Sequence, residues 1–229
     1  MKISHLFLYL FHSVSSIMIH HIRPFYGFDS NVYLLTGDRN ILIDTGTGLS
    51  SDYYIRSIRD VIGEAGVLDS IILTHCHFDH IGGAPALINA FRCNVYAGAV
   101  DAVPIREGDS SYTLSSDFGV KIPPIPVEDL HQDDVIDIGS HRLHEIDTPG
   151  HTMGGICLYD DITSSLFSGD TLFSDSIGRT DFKGGSISSL RNSIKYLSDI
   201  AFKDLYPGHG NPTKDGSTSI KIALQMVGN

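Results

Sequence analysis

Short apolar segments rich in Val, Ile, Leu and Tyr recur along the chain, separated by Gly, Pro, Asn and Asp. This pattern is typical of β-strands joined by tight turns. The segments NVYLLTG and NILIDTG predict a hairpin with Gly37 and Asp38 in its turn. Further strands are predicted at DSIILT, CNVYA, VIDIG, RLHEIDTPG, GICLYD and SLFSGD.

Three segments have the spacing of amphipathic helices. SDYYIRSIRDVIGEAG presents Tyr54, Ile55 and Ile58 on one face and predicts a stop near Gly66. The others are GGAPALINAF and SISSLRNSIKYLSDI, the last with Ser186 as its N-cap. In each half of the chain strands are followed by helices, which predicts two sheets packed together with helices outside.

Residues 98–130 differ from the rest. The segment has four prolines after Ala102 and no sustained periodicity. It is predicted to be an irregular excursion over the surface, of the kind that often covers a site.

The length of 229 residues favours one compact domain, predicted to span residues 18–229. Residues 1–17 contain one lysine and a short apolar run interrupted by His5 and His12. The run is too short to cross a bilayer and precedes no A-x-A cleavage site. We interpret residues 1–17 as a dispensable N-terminal extension, with Met18 as the start of the first strand.

The net charge of −11 disfavours nucleic acid and anionic membranes as partners, because no basic face is evident. The three cysteines form no C-x-x-C pair, which argues against a disulfide framework and against a thiolate zinc site. A cytoplasmic protein with a small-molecule substrate is the simplest expectation. The sequence does not indicate an oligomeric state.

The segment ILTHCHFDHIGG concentrates ionisable side chains directly after a predicted strand. Three histidines and one aspartate lie within six positions: His75, His77, Asp79 and His80. His75 and His77 are two residues apart, so on an extended strand end they point the same way. Imidazole and carboxylate ligands suit zinc, iron or manganese. The segment therefore predicts a metal site.

Three later residues also follow predicted strands. His151 lies in TPGHT, Asp170 in SGDTLF and His209 in YPGHG. Each has a glycine beside it or close by, which permits close approach of the backbone to a ligand shell. Their shared placement predicts that they join the same site.

Together these motifs resemble the metallo-β-lactamase superfamily over about residues 18–215. HCHFDH matches its His-x-His-x-Asp-His signature, and IDTG, TPGHT and GDTLF accompany it. The resemblance implies an α/β fold, a four-layer αββα sandwich of two mixed β-sheets with helices on the outer faces. It also implies two divalent metal ions, zinc in the first instance, with iron or manganese as alternatives.

The ligand assignment follows from the same resemblance. It implies His75, His77 and His151 on one ion, Asp79, His80 and His209 on the other, and Asp170 bridging them. A metal-bound hydroxide then attacks a carbonyl. Asp79 is expected to be catalytic as well as a ligand, by orienting the nucleophile or moving a proton. Asp44 in IDTG is expected to orient a ligand imidazole or its loop, although a plain turn-forming role fits equally.

The segment SIGRTDFKGGS is similar to small glyoxalase II-like hydrolases, that is, enzymes of the hydroxyacylglutathione hydrolase type. Arg179 and Asp181 in it are expected to form a buried pair or to brace the metal loop. The implied activity is hydrolysis of a thioester of the acylglutathione type. Glyoxalase II continues into a glutathione-binding helical domain, whereas about 20 residues follow His209 in this sequence, so the thiol carrier stays open. The alternative is a mononuclear iron persulfide dioxygenase of the same fold, which uses only His75, His151 and Asp170.

Overall fold

The structure, a computed structural model, describes residues 18–228. The extension predicted at residues 1–17 lies outside the described residues. One sheet contains, side by side in this order, β1 (Met18–Ile22), β2 (Val32–Thr36), β3 (Ile41–Ile43), β4 (Ser70–Leu73), β5 (Asn94–Gly98) and β6 (Glu128–Leu130). The other contains, again side by side in this order, β7 (Val135–Asp137), β8 (Arg142–Asp147), β9 (Ile156–Asp160), β10 (Ser165–Gly169) and β11 (Asp204–Pro207).

Six α-helices accompany the described sheets. They are α1 (Ser51–Ile62), α2 (Phe78–Ile81), α3 (Ala84–Phe91), α4 (Ala99–Glu107), α5 (Ile187–Leu197) and α6 (Gly216–Val227). Between residues 18 and 228 the chain forms no helix that is long and apolar enough to cross a membrane.

Both sheets are mixed. Strands β1 to β3 are antiparallel, and β3 to β6 are parallel to one another. In the second sheet only the β10–β11 pair is parallel. The helices α1 and α3 lie between parallel strands in sequence, as crossover connections require.

Alternation of side chains along the strands produces three apolar layers. In β2, Val32 and Leu34 pack towards α1 and α3, whereas Tyr33 and Leu35 pack towards the second sheet. In β10, Phe167 faces the first sheet, and Leu166 packs with α5 and α6. Three buried layers between four structural layers confirm the predicted αββα sandwich of two mixed sheets.

Several sequence predictions for individual elements need correction. Residues 98–130 are irregular only in part, since α4 lies near their start and β6 at their end, and the stretch between these contains one short 3-10 helix. Ala102 and Ile105 of α4 are fully buried in the outer core of the first sheet. Packing of this apolar face stabilises the helix despite Pro104 in its interior.

Two helix ends also differ from expectation. The first helix ends at Ile62, before Gly66, because Gly63 adopts a φ of 84° that breaks the helix. The C-terminal helix α6 was not predicted at all. The predicted hairpin, the strands and the helices α3 and α5 are confirmed, including the Ser186 cap, whose side chain accepts a hydrogen bond from the Ser189 N–H.

A carboxyl group lies between the sheets without a hydrogen-bond partner among the described residues. Glu145 in β8 pairs with Leu158 on the face that packs against the first sheet, and its side chain is fully buried. Its two carboxyl oxygens make no hydrogen bond within residues 18–228. Burial, reinforced by the nearby Asp147, raises the pKa of Glu145 to about 8.

This buried acid gives the first prediction, on the pH dependence of stability. Between its ordinary pKa of 4.5 and about 8, Glu145 is ionised in the unfolded chain but protonated in the folded one. Its burial therefore lowers the free energy of unfolding progressively as the pH rises through this window. We expect Glu145→Gln to raise the free energy of unfolding at pH 8 by at least about 2 kcal/mol more than at pH 5.

Urea unfolding of the variant and the parent protein at the two pH values measures this difference. Glu128→Gln, at an exposed glutamate in β6, is the matched control and should behave alike at both values. An equal effect of Glu145→Gln at pH 5 and pH 8 would contradict the assignment of a raised pKa.

Candidate metal centre

The seven side chains predicted as ligands, together with Asp44, meet at one edge of the sandwich. Asp44 follows β3, and His75, His77, Asp79 and His80 follow β4. His151 lies in the turn between β8 and β9, Asp170 follows β10, and His209 follows β11. Strands from both sheets thus deliver polar side chains to one place although the motifs are up to 134 residues apart, from His75 to His209.

The first group within this cluster consists of His75, His77 and His151. One ligand atom from each lies within 4.8 Å of the others, and all three side chains are buried. Their Nε2 atoms make no hydrogen bond with any of residues 18–228. Buried polar atoms are nearly always paired, so three converging lone pairs without partners fit a bound cation.

The second group consists of Asp79, His80 and His209. The Nε2 atoms of His80 and His209 are 3.3 Å apart, and the His209 Nε2 is 3.1 Å from Asp79 Oδ2. Two imidazoles on one tetrahedral zinc ion have nitrogens separated by about 3.3 Å, given Zn–N bonds of about 2.0–2.1 Å. This group therefore also fits a divalent ion.

Asp170 lies between the two groups. Its Oδ1 is 3.4 Å from His80 Nε2, and its Oδ2 is 3.6 Å from His151 Nε2. The backbone at Gly208 comes so close that a Cβ there would lie 2.3 Å from Asp170 Oδ1. Only glycine leaves this carboxylate room, which explains the glycine before His209.

The charges of the cluster are strongly coupled. Burial and the other imidazoles lower the pKa of His75 well below its usual range and lower that of His77 to about 3. These rings are therefore neutral and keep a free lone pair. Burial raises the pKa of Asp170, but the nearby imidazoles, led by His80, outweigh it, so the net pKa is lowered and the carboxylate is ionised. The neutral rings of His75 and His77 and the ionised carboxylate of Asp170 are donors that suit divalent zinc, iron or manganese. At His80 burial lowers the pKa, but the neighbouring carboxylates, led by Asp44, outweigh it and raise the net pKa, so an ion would displace the proton of this ring on binding.

Asp44 orients the His80 ring of the second group. Its carboxylate accepts hydrogen bonds from the Thr74 N–H at 2.8 Å and from the Thr74 hydroxyl at 2.9 Å. His80 Nδ1 lies 2.8 Å from Asp44 Oδ2, so the other ring nitrogen of His80 points into the cluster. Asp44 has a φ of 60°, a left-handed conformation that aspartate tolerates better than most residues. The observed contacts are those of an orienting residue rather than of a plain turn.

The predicted pair of Arg179 and Asp181 forms, but it is not buried. The two side chains are 66% and 64% exposed. Because the residues are two positions apart on one surface loop, they pair through solvent-facing side chains and do not reach the core. The loop still touches the cluster, since the backbone carbonyl of Arg179 lies 2.7 Å from His151 Nδ1 and fixes that ring.

Asp101 in α4 is a supporting residue that the sequence did not reveal. It is buried, and its Oδ2 accepts a hydrogen bond from the Cys76 N–H at 2.9 Å. Its Oδ1 accepts one from the Gly154 N–H at 2.7 Å. One carboxylate thus links the loop of His75 and His77 to the loop of His151. The only sequence signal for Asp101 would have been its position in the first turn of α4, had that helix been predicted.

The second prediction concerns this link. Asp101→Ala leaves two buried N–H groups without an acceptor, which costs about 1–3 kcal/mol for each group. We expect the free energy of unfolding to fall by about 2–6 kcal/mol and the affinity for zinc to fall roughly 10- to 100-fold. Urea unfolding and competition with a coloured chelator measure the two effects.

Asp199→Ala, at an exposed aspartate, is the matched control and should change neither quantity appreciably. Unchanged zinc affinity in a less stable Asp101→Ala protein would mean that Asp101 supports the fold alone.

Comparison with known proteins identifies relatives over most of the chain. The family model described as Metallo-beta-lactamase superfamily matches residues 25–209. The probable metallo-hydrolase MJ0888 of Methanocaldococcus jannaschii is 37% identical over 198 residues, which cover 81% of this chain and 89% of that protein. The acyl-coenzyme A thioesterase MBLAC2 of Gallus gallus is 32% identical over 175 residues, covering 65% of this chain and 59% of that protein.

A solved structure extends the comparison to three dimensions. TTHA1623, crystallised in a di-iron-bound form, has a TM-score of 0.72 and 28% sequence identity to this chain. The match covers 90% of this chain and 96% of that one.

Proposed function

Because the chain belongs to the metallo-beta-lactamase superfamily, we propose that it is a binuclear metal-dependent hydrolase that cleaves an acyl thioester. His75, His77 and His151 would hold one ion, and Asp79, His80 and His209 the other. Asp170 would bridge the two. The family binds divalent metals, and zinc is our first choice, with iron or manganese as alternatives.

The observation that carries the proposal is the pairing of two donor groups around one carboxylate. Three buried Nε2 atoms without hydrogen-bond partners in the described residues converge on one side of Asp170, and a second group converges on the other. A site for one ion needs no second group. The di-iron form of TTHA1623 supports the same reading, since that protein is a structural neighbour over nearly its full length.

Two divalent ions would supply Lewis acidity, which lowers the pKa of a water molecule and stabilises an oxyanion. Asp79 is the group that would act as general base and general acid. Burial raises its pKa, but the imidazoles of His80 and His209 lower it to a net value below the ordinary one, so the carboxylate is ionised. Its side chain remains 20% exposed, so solvent reaches it. It can take a proton from the attacking water and return it to the departing sulfur.

The overall reaction is simple to balance. Water adds to the carbonyl carbon, the carbon–sulfur bond breaks, and a carboxylate, a thiol and one proton are released. The relative MBLAC2, named as an acyl-coenzyme A thioesterase, supports a thioester as substrate. The SIGRTDFKGGS segment supports the acylglutathione type. Both thiol carriers are therefore substrates to test first.

The second candidate is a mononuclear iron dioxygenase that oxidises a thiol persulfide. One observation favours it: His75, His151 and Asp170, the three ligands that such an enzyme needs, already lie together. The His75 and His151 rings are 4.9 Å apart, and His151 Nε2 is 3.6 Å from Asp170 Oδ2.

The test compares the two activities on one preparation. Protein loaded separately with zinc, manganese and iron(II) is assayed for thiol release from S-acetylglutathione and acetyl-coenzyme A, and for oxygen uptake with glutathione persulfide. Our proposal expects thiol release that disappears when a chelator removes the metal. Oxygen uptake by the iron form alone, with no thiol release from any form, would overturn it.

A further inference from the structure

An apolar groove of about 440 Å³ lies beside the candidate metal centre. One face of α4 and the loops that follow α4 and His151 line it, and its walls include Val100, Val103, Pro104, Tyr112 and Met153. Val100, Val103 and Met153 are 52%, 45% and 45% exposed. Pockets of this volume hold small organic molecules, and apolar walls favour an apolar occupant.

The groove lies next to the loops that carry the metal ligands. Met153 is two residues after His151 in the same turn. On the opposite wall, the Tyr112 carbonyl accepts from the Cys76 thiol at 3.5 Å, and the Thr113 carbonyl accepts from the Phe78 N–H at 2.8 Å. These hydrogen bonds thus attach the Tyr112 wall to the residues directly before and after His77. A molecule in the groove lies next to the ligand loops.

One end of the groove lies near the ligand loops and the other lies further away along α4. Its near end is at Val100, because a Cβ on Gly154 of the His151 loop would lie 2.7 Å from the Val100 Cβ. Glu107 lies at the other end of α4, about 10 Å further along the helix axis. The ammonium group of Lys183 lies 3.9 Å from the centre of the Tyr112 ring and donates to the Ser111 hydroxyl at 2.9 Å. This is the Met153 side of the groove, because a Cβ on Gly184 would lie 3.2 Å from Met153 and 3.5 Å from the Tyr112 ring.

The charges near the two ends of the groove determine the orientation in which an elongated molecule would bind. The carboxylate of Glu107 at the far end of α4 repels an anionic group there. Lys183 at the near end attracts one, in a chain whose net charge is −11. The matching molecule has an uncharged apolar tail and an anionic portion close to the metal centre.

We infer that this groove binds the acyl chain of the thioester substrate, with the anionic thiol carrier at the Lys183 end, so that the protein prefers an octanoyl thioester to an acetyl thioester. The inference rests on the proposed function and adds the class of acyl group to it. A fully buried methylene contributes roughly fourfold to binding. With half of that burial, the six additional methylenes of octanoyl give a preference of roughly 50-fold.

The experiment measures kcat/KM for octanoyl and acetyl thioesters of the same thiol. For the parent protein we expect the 50-fold preference for octanoyl. Val103→Asp introduces a charge into the groove wall and should reduce the preference at least tenfold, while kcat/KM for the acetyl thioester stays within about twofold. Val67→Asp, at a valine that is 62% exposed and outside the groove, is the matched control and should keep the preference. An unchanged preference in Val103→Asp overturns the inference.

A binding measurement separates this inference from the proposed hydrolysis. Calorimetry with S-octyl and S-methyl thioethers of the same thiol needs no turnover and works on metal-free protein. Tighter binding of the octyl compound to the parent protein but not to Val103→Asp supports the groove even if no thioester is hydrolysed, in which case only the proposed function fails. Hydrolysis of the acetyl thioester with equal binding of both thioethers leaves the function standing and overturns the groove. If Val103→Asp does not fold, Val103→Asn replaces it, with the same outcomes.

Discussion

Asp170→Asn is expected to lower kcat/KM for thioester hydrolysis by at least about 10³-fold and to leave less than one tightly bound ion per chain. Asp170 is the only side chain whose carboxylate oxygens face both groups of the described cluster, at 3.4 Å from His80 Nε2 and 3.6 Å from His151 Nε2. An amide keeps the shape but removes the negative charge, so two adjacent cations would be left without the anion between them. Steady-state kinetics and elemental analysis of the same sample check both effects.

The control for this variant is Asp199→Asn, at an exposed aspartate with the same change of charge. It should keep activity and metal content, and circular dichroism should show that both variants are folded. A folded Asp170→Asn protein that retains two ions and more than a tenth of the parent activity would contradict the bridging role.

Asp79→Asn is expected to lower thioester hydrolysis by about 10²- to 10⁴-fold, because it removes both a ligand and the proton carrier. Its metal content should fall towards one ion per chain, since the group of His75, His77 and His151 does not include Asp79. Elemental analysis and kcat at saturating substrate measure these effects.

The same variant separates the two candidate functions. The dioxygenase uses His75, His151 and Asp170, so Asp79→Asn should leave persulfide-dependent oxygen uptake by the iron protein within about threefold of the parent value. Asp170→Asn should abolish either activity. Preserved oxygen uptake together with undiminished thiol release in Asp79→Asn would remove Asp79 from the mechanism.

Much of the site was predictable because its residues lie in short local motifs. Six consecutive positions after a strand contain four of the predicted ligands, His75, His77, Asp79 and His80. Their capacity to bind a metal ion is evident without any tertiary information. The order of strands followed by helices in each half likewise predicted two sheets with helices outside. The structure places Val32 to Leu35 alternately in an outer and an inner apolar layer. These features depend on nearest neighbours in the sequence.

The features that were missed depend on tertiary packing. Pro104 and the prolines after it obscured α4, which is stabilised by burial of Ala102 and Ile105 against the first sheet. Because α4 was not predicted, Asp101 was not recognised either. Its two N–H donors lie in loops 25 residues before it and 53 residues after it in the chain. No local pattern indicates a contact of that range.

The Arg179–Asp181 pair shows the converse error. Spacing and charge correctly indicated that the two side chains meet, but spacing contains no information about burial, and the pair is exposed. The contact that matters for the site is made by the Arg179 backbone carbonyl with His151. Backbone groups are common to every residue, so the sequence cannot distinguish this one.

The central claim is that hydrolysis of a thioester requires two ions in this cluster. The most direct test is to titrate zinc into metal-free protein and to measure bound zinc and thiol release from the preferred thioester in the same samples. We expect activity to remain low up to one ion per chain and to rise to a plateau at two. A plateau reached at one ion, or no thiol release at two, would contradict the claim.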